Sequence, residues 1–370
     1  MSGARPGGAV DGAAAASRSD GLRRVLAIET SCDETAAAVV LDGRVVVSSV
    51  VSSQVDVHRR YGGVVPELAG RAHVELLLPV VADALAAAGL DRRGRDPGSG
   101  RRCIDAVAAT AGPGLVGSLL VGVSSAKALA LAWGVPFVAV NHLEGHLYAS
   151  LLEDPDVELP AVVLLVSGGH TLLVSMAEPG RYEVLGRTVD DAAGEAFDKV
   201  ARFLGLGYPG GPAVDRLARE GDAAAIAFPR ALLGQGLDFS FSGLKTAVIT
   251  YVRAHPEVAS ADVAAAFQEA VVDVLVDKAL AGARVARARS LCLAGGVAAN
   301  SRLRARFEAA ARDAGLRPFL PSRAMCTDNA AMIGAAGYWR LLADGPSDLA
   351  TGADPNLPFP ASSVRADGEG

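Results

Sequence analysis

The feature that most constrains this chain is an internal repeat of plan. Residues 25 to 50 run VLAI, ETSCDET, AAAVV, an Asp42-Gly43 turn and RVVVSSV; residues 161 to 189 run AVVLLV, SGGHT, LLVSMA, a Pro179-Gly180 turn and RYEVLGRTV. Short apolar runs broken by polar, Gly-containing turns predict three antiparallel strands in each stretch. A strand, glycines and a helix then follow each triplet. IDAVAATAG passes through Gly112, Gly114 and Gly117 into SLLVGVSSAKALALA, and SLCLAGG passes through Gly295 and Gly296 into a helix expected near Ala298. Two halves on one plan predict a duplicated α/β unit.

A chain of 370 residues also exceeds what one core usually serves. The expected division is an N-terminal lobe over 24–155 and a C-terminal lobe over 156–345, meeting near the acid- and proline-containing stretch at 151–160. The Ala/Gly/Ser-rich residues 1–23 read as a disordered tail, and the polar, Pro-rich residues 346–370 as a loose one. DRRGRDPGSGRR at 91–102 reads as a charged surface loop. The duplicated β-β-β-α plan resembles the actin, chaperone-ATPase and sugar-kinase (ASKHA) superfamily, in which a nucleotide lies in the cleft between lobes.

Composition narrows the function classes. Half the chain is apolar, mostly small residues, which predicts close packing. Cys32, Cys103, Cys292 and Cys326 have no C-x-x-C pairing, which argues against a disulfide framework or a Cys-based zinc site and suits a reducing cytoplasm. The start has no apolar secretory core. The longest apolar stretch, Leu119 to Val140, contains Ser124, Ser125, Lys127 and Pro136, so no membrane span is expected. A formal charge of −6 gives no global attraction to nucleic acid.

Three motifs carry chemistry. Ser167-Gly168-Gly169-His170-Thr171 joins two strands, where backbone N–H groups and hydroxyls can meet an anion; an ordinary hairpin turn is the alternative. Gly295-Gly296 ends a strand and opens a helix, with Asn300 placed to reach a ribose or base; a tight strand-helix connection is the alternative. Gly112-Pro113-Gly114-Leu115-Val116-Gly117 matches G-x-G-x-x-G, but the following strand ends in Asn141 where a dinucleotide fold needs an acid.

NHLEGH at 141–146 places His142 and His146 at i, i+4. In a zinc-protease helix the catalytic Glu directly follows the first His. Here Glu144 is two residues on, about 200° around the helix, and faces away. Two histidines and one carboxylate suit Fe(2+) or Zn(2+) with open positions, and Asp328 in CTDNAAMIGAAG is the candidate third ligand; capping of the next helix is its alternative role. Asp33-Glu34 lies in the first turn. Asp190 and Asp191 read as a solvated helix face.

Taken together, ETSCDET, SQVDVHRRYGGVVPELAGRAH, TAGPGLVGSLLVG, NHLEGH, LLVSGGHT, DDAAGEAFDKVARFLGLGYPGGP, DFSFSGLKT, AGGVAAN and CTDNAAMI closely resemble one family over residues 24 to 345. It is the tRNA N6-adenosine threonylcarbamoyltransferase (TsaD) family, formerly labelled O-sialoglycoprotein endopeptidase. The resemblance implies transfer of threonylcarbamoyl from threonylcarbamoyl-AMP to N6 of adenosine 37 in tRNAs reading codons that begin with adenine. It implies a divalent metal, usually iron and sometimes zinc, on His142, His146 and Asp328. Leu165, Val166, Ser167, Gly168 and Gly169 would line the adenylate, with Asp198, Gly211, Asp215 and Asn300 around its nucleotide portion. Asp33 and Glu34 would be the acids at the catalytic cleft. Around Asp215 the string PAVDRLA departs from the commoner wording, and Asn141 stands where many bacterial relatives carry His.

The implied partners are a TsaB-type paralogue of the same fold and a TsaE-type P-loop ATPase; this chain has no G-x-x-x-x-G-K-[ST] of its own. Arg92, Arg93, Arg95, Arg101 and Arg102, or Arg284, Arg287 and Arg289, are the local arginines to consider as tRNA contacts. A metal-dependent peptidase and a non-catalytic nucleotide-binding partner are the competing readings.

Overall fold

The computed structural model describes residues 23–154 and 156–360. The expected N-terminal tail lies almost wholly outside them, as does the last part of the C-terminal one. The first lobe runs β1 (Arg24–Glu29), β2 (Glu34–Leu41), β3 (Val45–Ser53), α1 (Val55–Arg59), α2 (Pro66–Ala87), β4 (Ala106–Gly112), α3 (Val116–Trp133), β5 (Phe137–Asn141), α4 (His142–Leu147) and α5 (Ala149–Glu153). The second runs β6 (Ala161–Val166), β7 (Thr171–Glu178), β8 (Arg181–Arg187), α6 (Ala193–Phe203), α7 (Gly210–Leu217), α8 (Ser242–Ala254), α9 (Ser260–Val285), β9 (Ser290–Ala294), α10 (Ser301–Asp313), β10 (Arg317–Phe319), α11 (Arg323–Cys326) and α12 (Ala330–Ala343).

Each lobe holds a five-stranded sheet, ordered β3-β2-β1-β4-β5 and β10-β9-β6-β7-β8. In both, two antiparallel pairings continue into parallel strands, so the expected duplication is present. The turns form as their residues dictate: Asp42, Gly43 and Gly180 all take positive φ, which Gly adopts without strain.

Three apolar clusters separate the layers. One lies between the outer face of the first sheet and α2 and α3; one lies between the outer face of the second sheet and α6 to α10. The third joins the inner faces of both sheets through α4 and α12. Helix α12 belongs in sequence to the second lobe, yet it packs on the first sheet. A Cβ on Gly334 would stand 2.6 Å from Val40, and one on Gly337 2.7 Å from Ala108. Small residues let residues 330–343 of the expected second lobe lie closely on the sheet of the first.

The tail also departs from expectation. Residues 346–360 are not loose but run as a strap along β5 to the cleft. Ser347 N–H donates to Phe137 O, Asp354 N–H to Ala111 O, and the Asn141 amide to Leu357 O and Pro358 O. Helix α3 is long and apolar enough to cross a membrane by composition, but its Leu119, Val123, Ala126 and Ala130 are buried in the first core.

Candidate metal centre and cleft

The C-terminal ends of β1, β4 and β5 face those of β6, β8 and β9 across a cleft with a cavity of about 820 Å3. Asn141 ends β5 and caps α4: Leu143 N–H donates to its Oδ1 at 2.9 Å. This fixes a short helix whose His142 and His146 share one face. Gly145 lies against α12, where a Cβ would stand 2.7 Å from Ile333. On the far side, Glu144 accepts from Tyr182 Oη at 3.1 Å and Arg340 at 3.1 Å. It points away from the imidazoles, as expected, and burial raises its pKa despite Arg340.

Asp328 reaches the pair from the loop before α12. Its Oδ1 lies 3.4 Å from His142 Nε2 and 3.3 Å from His146 Nε2. It does not cap α12; Asn329 does, accepting from Met332 N–H at 3.1 Å. The carboxylate is thus free for the histidines. Two donors each about 2.1 Å from one ion at a tetrahedral angle stand about 3.4 Å apart, so the set fits a metal. All three ligand atoms fall within 4.8 Å of one another.

The acids around His142 favour positive charge on its ring. Burial would lower the His142 pKa, but Asp328 and then Glu29 hold it well above the usual imidazole value. Burial would raise the Asp328 pKa, but His142 and His146 keep it well below the usual range. Glu29 escaped the sequence reading. It is wholly buried at the end of β1, accepts from Thr110 Oγ1 at 2.6 Å and lies 2.9 Å from His142 Nδ1. Its only signal was an acid opening ETSCDET.

Around the opposite wall, Ser167 closes its turn by donating N–H to His170 O, leaving Gly168 and Gly169 open to the cleft. Leu165 and Val166 are fully buried at the end of β6 and do not line the cavity, which begins at Ser167. Asp198 accepts from Gly210 N–H at 2.9 Å, and burial raises its pKa; Gly211 beside it is unobstructed.

Asp215 and Asn300 are both hydrogen-bonded within the protein. Asp215 accepts from Ser301 Oγ at 2.7 Å and Arg219 at 3.1 Å. Asn300 caps α10, accepting from Leu303 N–H, and donates to Gln268 Oε1 at 2.7 Å. The helix expected near Ala298 begins at Ser301 after a 3-10 turn, Gly296–Ala299.

Asp33 and Glu34 lie off the cavity that holds His142 and Asp328, on the flank nearer Tyr208 and Asp198. Burial, then the charges of Asp328 and Asp33, push the Glu34 carboxyl up to about 9. Asp190 and Asp191 are not a solvated face. Asp190 accepts from Ser240, Phe241 and Ser242, and Asp191 pairs with Lys199 and Lys245. Arg93, Arg95 and Arg102 line a separate cavity with Trp133, beyond the start of β4 and away from the cleft.

Comparison with known proteins decides the family. The model of the tRNA N6-adenosine threonylcarbamoyltransferase (TsaD) family matches residues 45–335. The chain belongs to this family. It is 56% identical to the enzyme of that name from Moorella thermoacetica over 90% of this chain and 97% of the relative. It is 58% identical to that of Anaeromyxobacter dehalogenans over 90% and 99%. Solved structures agree at the level of fold. HypF of T. kodakarensis superposes with a TM-score of 0.60 at 14% identity, over 86% of this chain and 48% of that one. Component A of the Acidaminococcus fermentans (R)-2-hydroxyglutaryl-CoA dehydratase gives 0.53 at 14%, over 86% and 99%. The two histidines, Asp328 and the glycine turns thus meet at one cleft between the two sheets.

Proposed function

We propose that this chain transfers the threonylcarbamoyl group from threonylcarbamoyl-AMP to N6 of adenosine 37 in tRNAs reading codons that begin with adenine. The observation that carries the reading is the convergence of His142, His146 and Asp328 beside the open Gly168-Gly169 turn, in a chain of this family. The adenine amine attacks the carbamoyl carbon; a C–N bond forms, the C–O bond to phosphate breaks and AMP leaves.

An Fe(2+) or Zn(2+) ion on the triad would supply Lewis acidity toward an oxygen of the donor. Glu29 holds His142 in the orientation that turns its Nε2 to Asp328. Backbone N–H groups of Gly168 and Gly169 receive the phosphate as its charge grows. The amine proton is assigned to the Asp33–Glu34 pair beside the cavity, where burial and then the charges of Asp328 and Asp33 push the Glu34 carboxyl up to about 9.

On this reading the chain works in the cytoplasm, with tRNA as its acceptor. Exposed Val74 and Leu78 on α2, with Val116 and Leu120 on the adjoining α3, suit docking of a TsaB-type paralogue; the ATPase step falls to a TsaE-type partner. A peptidase reading is disfavoured by Glu144, which is buried against Arg340 away from the imidazoles. Incubating the protein and both partners with threonylcarbamoyl-AMP and unmodified tRNA, then analysing nucleosides by mass spectrometry, tests the proposal. Threonylcarbamoyladenosine is the expected product; none from a folded, metal-loaded protein overturns the reading.

A further inference from the structure

The order of strand ends along the second sheet divides the cleft. Gly296 follows β9, the 167–170 turn follows β6, and Arg187 and Thr188 end β8. Strands β6 and β8 are two strand spacings apart, about 10 Å. On the proposed reading the nucleotide of the donor takes the flank of Gly296, Asp198 and Gly211. The opposite flank is a second branch of the same cavity, lined by Leu172, Val184, Arg187 and the strap residues Leu357, Pro358 and Phe359.

Its composition is specific. The walls are apolar, and among the described residues Arg187 is the only Lys or Arg lining the cleft. The backbone of Arg187 is pinned on both sides: its N–H donates to Asp238 Oδ1 at 2.9 Å, and Phe239 N–H donates to its carbonyl at 2.9 Å. Its side chain is exposed, and the guanidinium makes no hydrogen bond or ion pair with another described residue. The facing wall is held as firmly. Phe359 packs on Tyr182 of β8 with ring centroids 5.7 Å apart, and Asn141 grips the strap at Leu357 and Pro358. A rigid slot with apolar sides and one unpartnered guanidinium matches a splayed nucleotide, whose base meets the walls and whose phosphate meets the cation.

We propose that this branch is an acceptor subsite, in which Arg187 binds a backbone phosphate of the single-stranded RNA loop beside the reacting adenosine while the strap packs on the flanking base. The proposal rests on the tRNA reading given above. The shared chemistry is an oxyanion, which the carboxylate or phosphate of the donor would also offer, so the test separates the two.

Arg187→Ala, Arg187→Glu and Arg187→Lys are compared with wild type in the assembled complex, with KM measured separately for tRNA and for threonylcarbamoyl-AMP. Binding of an unmodified anticodon stem-loop RNA is followed in parallel by fluorescence anisotropy across a salt series. Expected are a rise of roughly tenfold in KM for tRNA with Arg187→Ala, a larger rise with Arg187→Glu, and partial recovery with Arg187→Lys, which keeps the charge without the fork. The KM for the donor and kcat at saturating tRNA stay near wild type. The log–log salt slope of RNA binding becomes shallower by about 0.7 in Arg187→Ala. An unchanged tRNA KM and slope overturns the subsite. A raised KM for the donor alone overturns the RNA assignment and gives the guanidinium to the donor. Because RNA binding is read without turnover, a wild type that binds RNA and yields no product refutes the transferase reading while leaving the Arg187 result legible.

Discussion

Glu29 Oε2 lies 2.9 Å from His142 Nδ1, on the side of the imidazole opposite Asp328. A buried carboxylate on the outer nitrogen fixes which nitrogen is offered inward and makes it more basic. Glu29→Gln is therefore expected to weaken metal affinity about 10- to 100-fold, read by chelator competition, with the fold preserved by the amide oxygen. Unchanged affinity would reduce Glu29 to a packing role.

Glu144 and Arg340 form a buried pair, 2% and 29% exposed in their side chains. Glu144→Ala leaves the buried Tyr182 hydroxyl without this acceptor and Arg340 with Asp344 alone, so it is expected to cost about 1–3 kcal/mol of stability, measured by chemical denaturation. Transfer by the folded fraction should persist. Loss of all turnover in a folded Glu144→Gln protein would instead favour a catalytic carboxylate there.

Gly112 has φ +154, and a Cβ on it would stand 1.9 Å from Asp354 O. Only glycine lets the strap pass over the end of β4. Gly112→Ala should lift residues 354–359 from the cleft, make the tail sensitive to limited proteolysis and cost roughly 1–3 kcal/mol. A tail as resistant as in wild type would show that the strap is not anchored there.

Hydrogen bonding from Arg302 lowers the Glu269 pKa against the effect of burial, with Arg306 and Arg230 adding to it. A group more acidic folded than unfolded stabilises fully above its unfolded value of about 4.3, and the contribution is lost as pH falls through the folded value. The gap between wild type and Glu269→Gln should be about 1 kcal/mol at pH 7 and close on acidification. A gap in melting temperature that widens toward pH 3 would contradict this.

What the sequence disclosed is what it encodes locally. The β-β-β plan was readable because Asp42-Gly43 and Pro179-Gly180 punctuate it, and the histidine helix because i, i+4 spacing needs only one turn. What it did not disclose are contacts distant in the chain. Nothing near Asn300 signals its hydrogen bond to Gln268 on α9, and nothing near Asp215 the one it accepts from Ser301. The strap read as a tail because its polar, Pro-rich composition carries no apolar period; its anchors are backbone groups of β4 and β5 and the side chain of Asn141. Nothing in AAMIGAAG says which sheet the small residues of α12 meet.

The most direct measurement of the central claim pairs metal content with transfer. Wild type, His142→Ala and Asp328→Ala are purified, their bound metal is quantified by elemental analysis, and each is assayed for threonylcarbamoyladenosine with both partners and unmodified tRNA. Wild type is predicted to hold one ion per chain and form product, and both variants to lose ion and product together while remaining folded. A variant that holds no metal yet transfers at the wild-type rate would contradict the assignment of this reaction to the His142, His146 and Asp328 centre.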